Sequence, residues 1–307
     1  ALTKEQVAGL SPEVVASFSR GVVRALSTEQ VSAITPTQIQ AMGRYGIAGF
    51  SSAQSRGLTE AQTAGLPSEA KEMLAVRRMT SEQVAQLSPE QLKAKLTHLA
   101  PDQIGSITGA QLASFSAQEI SAFPIDLRRA ITGPQMEAMG PEKFQALLNA
   151  SYSHEFSPEQ CSTMSPNLMR QIPLADVNDF VRSNISHLEP GQLRSLTAEQ
   201  VGQLQHFAKD AWELRSRTIA EIQAIRGTSS SAFAMKLALI RNVGVLTPAQ
   251  FAAIPPESFR HLPPNGMTNN QLQVLTPAQL GEMDQTRLRE NMSSSQQAIL
   301  RGRGLLQ

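Results

Sequence analysis

Large apolar residues return at every eighth position over long stretches of this chain. Between residues 99 and 147 the series runs without a slip through Leu99, Ile107, Phe115, Phe123, Ile131, Met139 and Leu147. An equally regular series opens the chain, at Leu2, Leu10, Phe18, Leu26, Ile34, Met42, Phe50, Leu58, Leu66 and Leu74. A second apolar residue follows most of these five positions later, as Val7 follows Leu2. The repeating unit is therefore an octad with two apolar positions.

An octad cannot mark one face of a continuous helix. Eight residues turn an α-helix through about 800°, so an apolar stripe would drift by roughly 80° in each repeat. Prolines at positions such as 36, 89, 101 and 248 would also interrupt such a helix. A β-solenoid is disfavoured because the octads are rich in Ala, Gln and Glu rather than in alternating β-branched and aromatic residues. Each octad is better interpreted as one short helix.

The start signal of each short helix is a capping box, in which Ser or Thr is followed three residues later by Gln or Glu. Proline often stands directly after the capping residue, where its missing N–H is tolerated. The pairs are Thr3/Gln6, Ser27/Gln30, Thr35/Gln38, Thr80/Gln83, Ser88/Gln91, Thr108/Gln111, Ser116/Glu119, Ser157/Gln160, Thr197/Gln200, Thr247/Gln250 and Thr276/Gln279.

Helices of about six residues are only about 9 Å long and do not hold together alone. Their two apolar residues must be buried against neighbouring octads, which predicts an all-α fold: an α-solenoid or superhelix of very short capped helices. In the octad series the phase slips near 75–79, 88–99, 148–156 and 263–275. We expect a helix to lengthen, or the superhelix to bend, at these places, with one longer helix near Pro67 to Arg78.

The octads lapse between residues 204 and 245. Apolar residues spaced by three and four positions predict one long amphipathic helix from Phe207 to Ile225, a break at 227–231 and a second helix over 232–243. We therefore predict one continuous domain: an octad α-solenoid over 1–203, a longer-helix insertion or bend over 204–245, further octads over 246–292 and a frayed tail over 293–307.

The phrases Leu26–Ile34 (LSTEQVSAI) and Leu196–Val201 (LTAEQV) carry a resemblance to known repeats. They resemble the Leu-Thr-x-x-Gln-apolar octads of large repetitive bacterial surface, adhesion and secreted proteins. More distantly they are similar to the short-helix repeats of the mesothelin and stereocilin group of animal surface proteins. The resemblance implies a helical repeat fold and a place on the surface of, or outside, a bacterium; a cytoplasmic protein is the alternative.

Composition narrows the choice of partners. The formal net charge is +1, only 17% of residues are charged, and no run of Lys or Arg occurs, which disfavours nucleic acid as a partner. No stretch approaches the roughly 18 apolar residues of a membrane span, and no signal-peptide pattern opens the chain. Cys161 is the one cysteine and takes the second apolar position of its octad, which predicts a buried small side chain rather than a nucleophile.

No constellation in the sequence indicates catalysis, a metal or a cofactor. The five histidines show no metal-ligand spacing; His206 and Asp210 share a helical face, where a surface hydrogen bond is the simpler interpretation. The Gly-Thr-Ser-Ser-Ser run at 227–231 lacks the Lys of a phosphate loop. The candidate partner-contacting side chains are those of His206, directly before the predicted long helix, and of Trp212 and Arg215 on it, since a lone tryptophan often anchors an interface.

The sequence therefore predicts a non-enzymatic protein-binding or structural repeat module of a bacterial surface or secreted protein, whose partner is another protein. The alternative is a secreted effector or toxin whose activity resides in segment 204–245. The oligomeric state stays open.

Overall fold

The computed structural model of the chain describes residues 2–151, 156–225 and 238–306. Within these ranges all regular secondary structure is helical and no strand occurs, so the predicted all-α class is confirmed. The chain divides into two compact units, Ala1–Ser151 (unit 1) and Tyr152–Gln307 (unit 2). The domain boundaries drawn from the octads stay a prediction.

Unit 1 consists of short α-helices with two 3-10 helices, Leu96–His98 and Pro101–Ser106, between the tenth and the eleventh. The α-helices are α1 (Lys4–Ala8), α2 (Pro12–Ala16), α3 (Arg20–Ala25), α4 (Thr28–Ser32), α5 (Pro36–Ile47), α6 (Ser52–Gly57), α7 (Glu60–Thr63), α8 (Ser68–Arg77), α9 (Ser81–Ala85), α10 (Pro89–Lys95), α11 (Gly109–Ala113), α12 (Ala117–Ser121), α13 (Ile125–Arg128), α14 (Gly133–Ala138) and α15 (Pro141–Ala150).

Unit 2 repeats this design, with 3-10 helices at Val243–Val245, Pro256–His261 and Pro264–Gly266. Its α-helices are α16 (Pro158–Thr163), α17 (Pro166–Arg170), α18 (Val177–Asn184), α19 (Pro190–Arg194), α20 (Ala198–Gln203), α21 (His206–Arg215), α22 (Ile219–Gln223), α23 (Pro248–Ala252), α24 (Asn269–Leu272), α25 (Pro277–Glu282), α26 (Gln285–Asn291) and α27 (Ser294–Gly302). Residues 238–242 are also helical.

The capping boxes predicted from the sequence all form, so each octad that carries one begins a helix of its own. At α5 the Thr35 N–H donates to Gln38 Oε1 (2.7 Å), and the Gln38 N–H donates to Thr35 Oγ1 (3.3 Å). Further boxes that the prediction did not include close at Ser51, Thr59, Thr218, Thr268 and Ser293.

The apolar octad positions form the core. All seven residues of the series from Leu99 to Leu147 are buried, and so are the second-series residues between them, with Leu127 buried where Arg128 takes the regular position. The first octads differ, because Leu2 is 44% exposed and Leu10, Phe18 and Leu26 are only partly buried. There the second series, Val7 onward, is fully buried and carries the packing.

Helices lengthen where the octad phase slips. The predicted longer helix near Pro67 to Arg78 is α8, and α10 continues into the 3-10 helix Leu96–His98. The slip near 148–156 follows α15, which is ten residues long. At these places the residues in excess of an octad lengthen a helix by about one turn.

The prediction of one long helix from Phe207 to Ile225 is wrong. The helix α21 ends at Arg215, and α22 begins at Ile219 after its own capping residue, Thr218. The Thr218 side chain accepts from the Glu221 N–H while Glu221 accepts from the Thr218 N–H (2.7 Å), so a new helix starts at Thr218. The predicted break at 227–231 lies outside the described residues, as does the first half of the helix predicted at 232–243.

Residues 293–307 are also more ordered than a frayed tail. Ser293 caps α27, and Leu300 of that helix is fully buried. The Arg303 guanidinium donates to the carbonyls of Leu272 (2.6 Å) and Leu275 (2.8 Å). Residues 293–306 are ordered because Leu300 is buried and Arg303 binds backbone carbonyls earlier in unit 2.

Helices pack on helices that lie two or three places further along the chain. In unit 1, α1 contacts α4, α2 contacts α5, α11 contacts α14 and α12 contacts α15; in unit 2, α18 contacts both α20 and α21. Each short helix is therefore stabilised by contacts with distant octads rather than by its own length.

The glutamine of the capping box joins these helices. While Gln62 Oε1 closes the box at Thr59, its Nε2 donates to the carbonyls of Val31 (3.1 Å) and Ile34 (2.7 Å) at the end of α4. The same long-range bond recurs, with separations of 24 to 31 residues, at Gln38, Gln54, Gln103, Gln111, Gln135, Gln192 and Gln200. One side chain thus satisfies the start of one helix and the terminal carbonyls of another.

Helix α5 contains a kink at Gly43, where φ is 58° and ψ is −170°. Residues other than glycine rarely adopt this backbone conformation. We expect Gly43→Ala to lower the free energy of unfolding by about 1–3 kcal/mol in urea denaturation. Gly57→Ala, at the end of α6 where nothing lies within 4 Å of a new Cβ, is the control and should be neutral or slightly stabilising. Equal losses for both would contradict the assignment of strain to Gly43.

Candidate functional site

Unit 2 contains an open groove of about 1120 Å³. Its walls come from the residues after α18, from α19, from the segment joining α21 to α22, and from the start of α23. The lining residues are Ser186, His187, Glu189, Pro190, Arg194, Arg215, Arg217, Thr218, Ile219, Ala220, Gly244, Leu246, Thr247, Pro248, Ala249, Gln250, Thr268 and Asn270.

Arg215 is the buried arginine of this lining, with 5% of its surface exposed. Its Nε donates to the Leu188 carbonyl (2.9 Å), one Nη donates to the Ser186 carbonyl (3.2 Å) and the other donates to the Val245 carbonyl. Burial lowers the pKa of the guanidinium, and the charge of Glu189 opposes that shift. Arg215 therefore joins three backbone segments of the groove. It does so through a planar set of donors that only arginine offers.

The Gln250 side chain binds the backbone at Arg215, on the turn that follows α21. Its Nε2 donates to the backbone carbonyls of Arg215 (2.8 Å) and Arg217 (2.7 Å), while its Oε1 closes the capping box of α23. The turn between α21 and α22 is thus fixed from both sides, which gives the groove a defined wall.

The mouth of the groove carries exposed cationic and apolar side chains. Arg194 donates to the Ser216 carbonyl (2.7 Å), and Arg217 lies 3.7 Å from the Glu221 carboxylate. Ile219, the first residue of α22, is 47% exposed. Three arginines against Glu189 give the lining an excess of positive charge. The groove can therefore attract carboxylates and shelter an apolar side chain.

Of the three residues that the sequence suggested for partner contact, Arg215 lines this groove and the other two do not. Trp212 is half-buried, and its Nε1 donates to the Leu193 carbonyl (2.9 Å). His206 is exposed at the start of α21, with a φ of 40°. The carboxylate of Asp210 pairs with Arg241 at 3.7 Å, so the suggested surface bond between His206 and Asp210 is replaced by an ion pair.

Sequence reasoning missed Arg194, Arg217 and Ile219. One available signal was the Thr218/Glu221 box, which ends the predicted long helix and moves Ile219 from a buried stripe to an exposed first position. Nothing in the sequence connects Arg194 with Arg217, because only the packing of α19 near the turn brings them to one groove.

Cys161 is fully buried, as its octad position predicts, and its Sγ lies 3.5 Å from Asn184 Oδ1. Burial raises the pKa of the thiol to about 12. We therefore expect fewer than about one thiol in a thousand to be ionised at pH 8, so that a thiol reagent such as DTNB reacts with the unfolded chain but not with the native protein. Rapid stoichiometric reaction before unfolding would contradict this burial.

Within the described part of the chain, no group of three or more His, Cys, Asp or Glu side chains is arranged to hold a metal ion. Among the same residues, none of the helices combines the length and the apolar character needed to cross a bilayer. No protein-family model, no curated protein and no solved structure matches this chain.

Proposed function

We propose that this protein is a non-enzymatic protein-binding module built as an α-solenoid, and that the groove of unit 2 binds an extended, acidic segment of another protein. The observation that carries the proposal is the groove itself: about 1120 Å³ of open space with three arginines and an exposed isoleucine on fixed walls.

The solenoid part of the proposal is supported by the long-range glutamine bonds. A recurring bond that joins residues 24 to 31 positions apart, together with contacts between every second or third helix, is the pattern expected of a superhelix with about three helices in a turn. Solenoids present extended concave surfaces, which are suited to a chain-like ligand.

The acidic character of the ligand follows from the charge of the lining. Arg194 and Arg217 lie at the surface of the groove, where they can form bidentate contacts with carboxylates. The exposed Ile219 of the same lining provides an apolar contact. An extended segment with acidic residues around one apolar residue satisfies both features.

A selection from a displayed library of random dodecapeptides tests the proposal. We expect enriched peptides to be acidic with one apolar residue, and to bind at least tenfold more weakly to Arg194→Glu and to Ile219→Asp. Arg182→Glu, on α18 outside the groove, is the matched control and should leave binding unchanged. Failure to enrich any peptide, or equal losses for all three variants, would overturn the proposal.

The wider setting that we propose is a bacterial surface or secreted protein with a scaffolding or adhesive role, supported by the octad resemblance alone. An effector activity in segment 204–245 is the alternative. The turn at residues 215–220 belongs both to the groove and to segment 204–245. A variant of this segment that loses a cellular effect but still binds the peptide would therefore separate the two functions.

A further inference from the structure

Unit 1 contains a second, unrelated cavity of about 410 Å³ whose lining is unusually basic. Arg20, Arg24, Arg44 and Arg77 all line it, together with the ring of Tyr45, and Asp126 is the one carboxylate among the lining residues. Its volume is in the range of pockets that hold small molecules.

Arg77 is the buried cation of this cavity, with only 4% of its surface exposed. One Nη donates to the Phe50 carbonyl, but its Nε has no hydrogen-bond partner. Among the described residues, no carboxylate comes within ion-pair distance of it; Asp102, whose charge opposes the lowering of the Arg77 pKa by burial, is hydrogen bonded to Ser52 instead. A buried charge is normally paired, and the Arg77 guanidinium is an exception in this cavity.

The other arginines are only partly neutralised. Arg20 lies 3.6 Å from Asp126 and stacks on Tyr45 at 4.8 Å, yet its Nε is also buried without a partner. Arg44 pairs with Glu69 at 2.8 Å on the outer side. The Arg24 guanidinium makes no hydrogen bond or ion pair with any residue that the structure describes, although the Arg24 carbonyl accepts from Gln54 Nε2 (3.3 Å).

The backbone is shaped to bring these groups together. Arg44 and Tyr45 directly follow Gly43, whose positive φ kinks α5. Gly49, just after α5, lets the chain approach α3 closely, because a Cβ at this position would lie 2.8 Å from the Val23 side chain and 3.1 Å from the Arg20 backbone. Two glycines thus maintain the juxtaposition of α3 and the second half of α5 around the cavity.

We propose that this cavity binds a small molecule through a phosphoryl group, with Arg77 at its base and Arg20 and Arg24 completing the contacts. A phosphoryl dianion supplies several acceptor oxygens for converging guanidinium groups and balances more than one of their charges, which a lone carboxylate does not. The group can come from free phosphate or from a phosphomonoester, whose organic part would contact the exposed ring of Tyr45.

Isothermal titration of the full chain at constant ionic strength tests this, with inorganic phosphate and phenyl phosphate as the probes. Arg24→Gln removes an arginine that holds no other part of the fold, so the variant should unfold at the same temperature as the parent. We expect its dissociation constant for the bound probe to rise about tenfold. Arg170→Gln, which removes the same charge from unit 2, is the control and should bind as the parent does.

The two probes distinguish the source of the phosphoryl group. Equal binding of both, unaffected by Tyr45→Ala, indicates free phosphate; tighter binding of phenyl phosphate that is lost in Tyr45→Ala indicates a phosphomonoester. Absence of binding for both probes at millimolar concentration, or equal weakening by Arg24→Gln and Arg170→Gln, would overturn the proposal.

Discussion

Gln62→Glu is expected to lower the free energy of unfolding by about 3 kcal/mol at pH 7. Gln62 is 5% exposed, and its amide nitrogen donates to three carbonyls of the α4 terminus, at 2.7 to 3.3 Å. The replacement is nearly isosteric and keeps the oxygen that accepts from the Thr59 N–H. It removes the donors, however, and directs a carboxylate oxygen at the carbonyls of Val31 and Ile34.

Gln83→Glu is the matched control for this substitution. Gln83 closes the same capping box at Thr80, but it is exposed and makes no long-range bond within the described residues. The chain itself uses glutamate at this box position in Glu119, which is partly exposed and pairs with Lys93 at 3.0 Å. We therefore expect Gln83→Glu to change stability by less than about 0.5 kcal/mol.

Urea denaturation of both variants at pH 7 and pH 4 is the measurement. The buried carboxyl introduced at position 62 should have a raised pKa in the folded state, because desolvation and the facing carbonyls disfavour its charged form. Its protonated form can donate again, so the loss of stability should be smaller at pH 4 and grow as the pH rises. Similar losses for both variants would mean that the capping box, and not the long-range bond, stabilises the repeat.

Arg215→Ala is expected to cost about 3–4 kcal/mol of unfolding free energy, because it leaves the buried carbonyls of Leu188 and Val245 and the partly buried carbonyl of Ser186 without their donor. Arg182→Ala removes an exposed arginine of unit 2, paired with Asp179 at 3.5 Å, and should cost less than about 1 kcal/mol.

The same pair of variants separates a structural role of Arg215 from direct contact with a ligand. Thermal and urea unfolding should both show the loss in Arg215→Ala, and Arg215→Lys should recover only part of it, since lysine cannot reach three carbonyls with one planar fork. A fully stable Arg215→Ala protein would show that the three hydrogen bonds do not hold the groove together.

Local features of the chain were predictable because they depend on residues three to five positions apart. The capping boxes, the proline at the first helical position and the burial of most apolar octad positions follow from helix chemistry within one octad. The failure at Thr218 arose because an apolar periodicity was given more weight than the Thr218/Glu221 capping signal. The failure at the C-terminal helix arose because the Ser293/Gln296 capping signal was not used.

The sequence by itself determined that this protein is all-helical, where its helices begin, and which residues form its core, since these depend on backbone hydrogen bonds and on local apolar spacing. Only the tertiary structure decided what the glutamine amide nitrogens bind, why Arg215 and Arg77 are buried, and which arginines share a cavity. Those contacts join residues about 20 to 60 positions apart, and packing that no short-range pattern specifies brings such residues together.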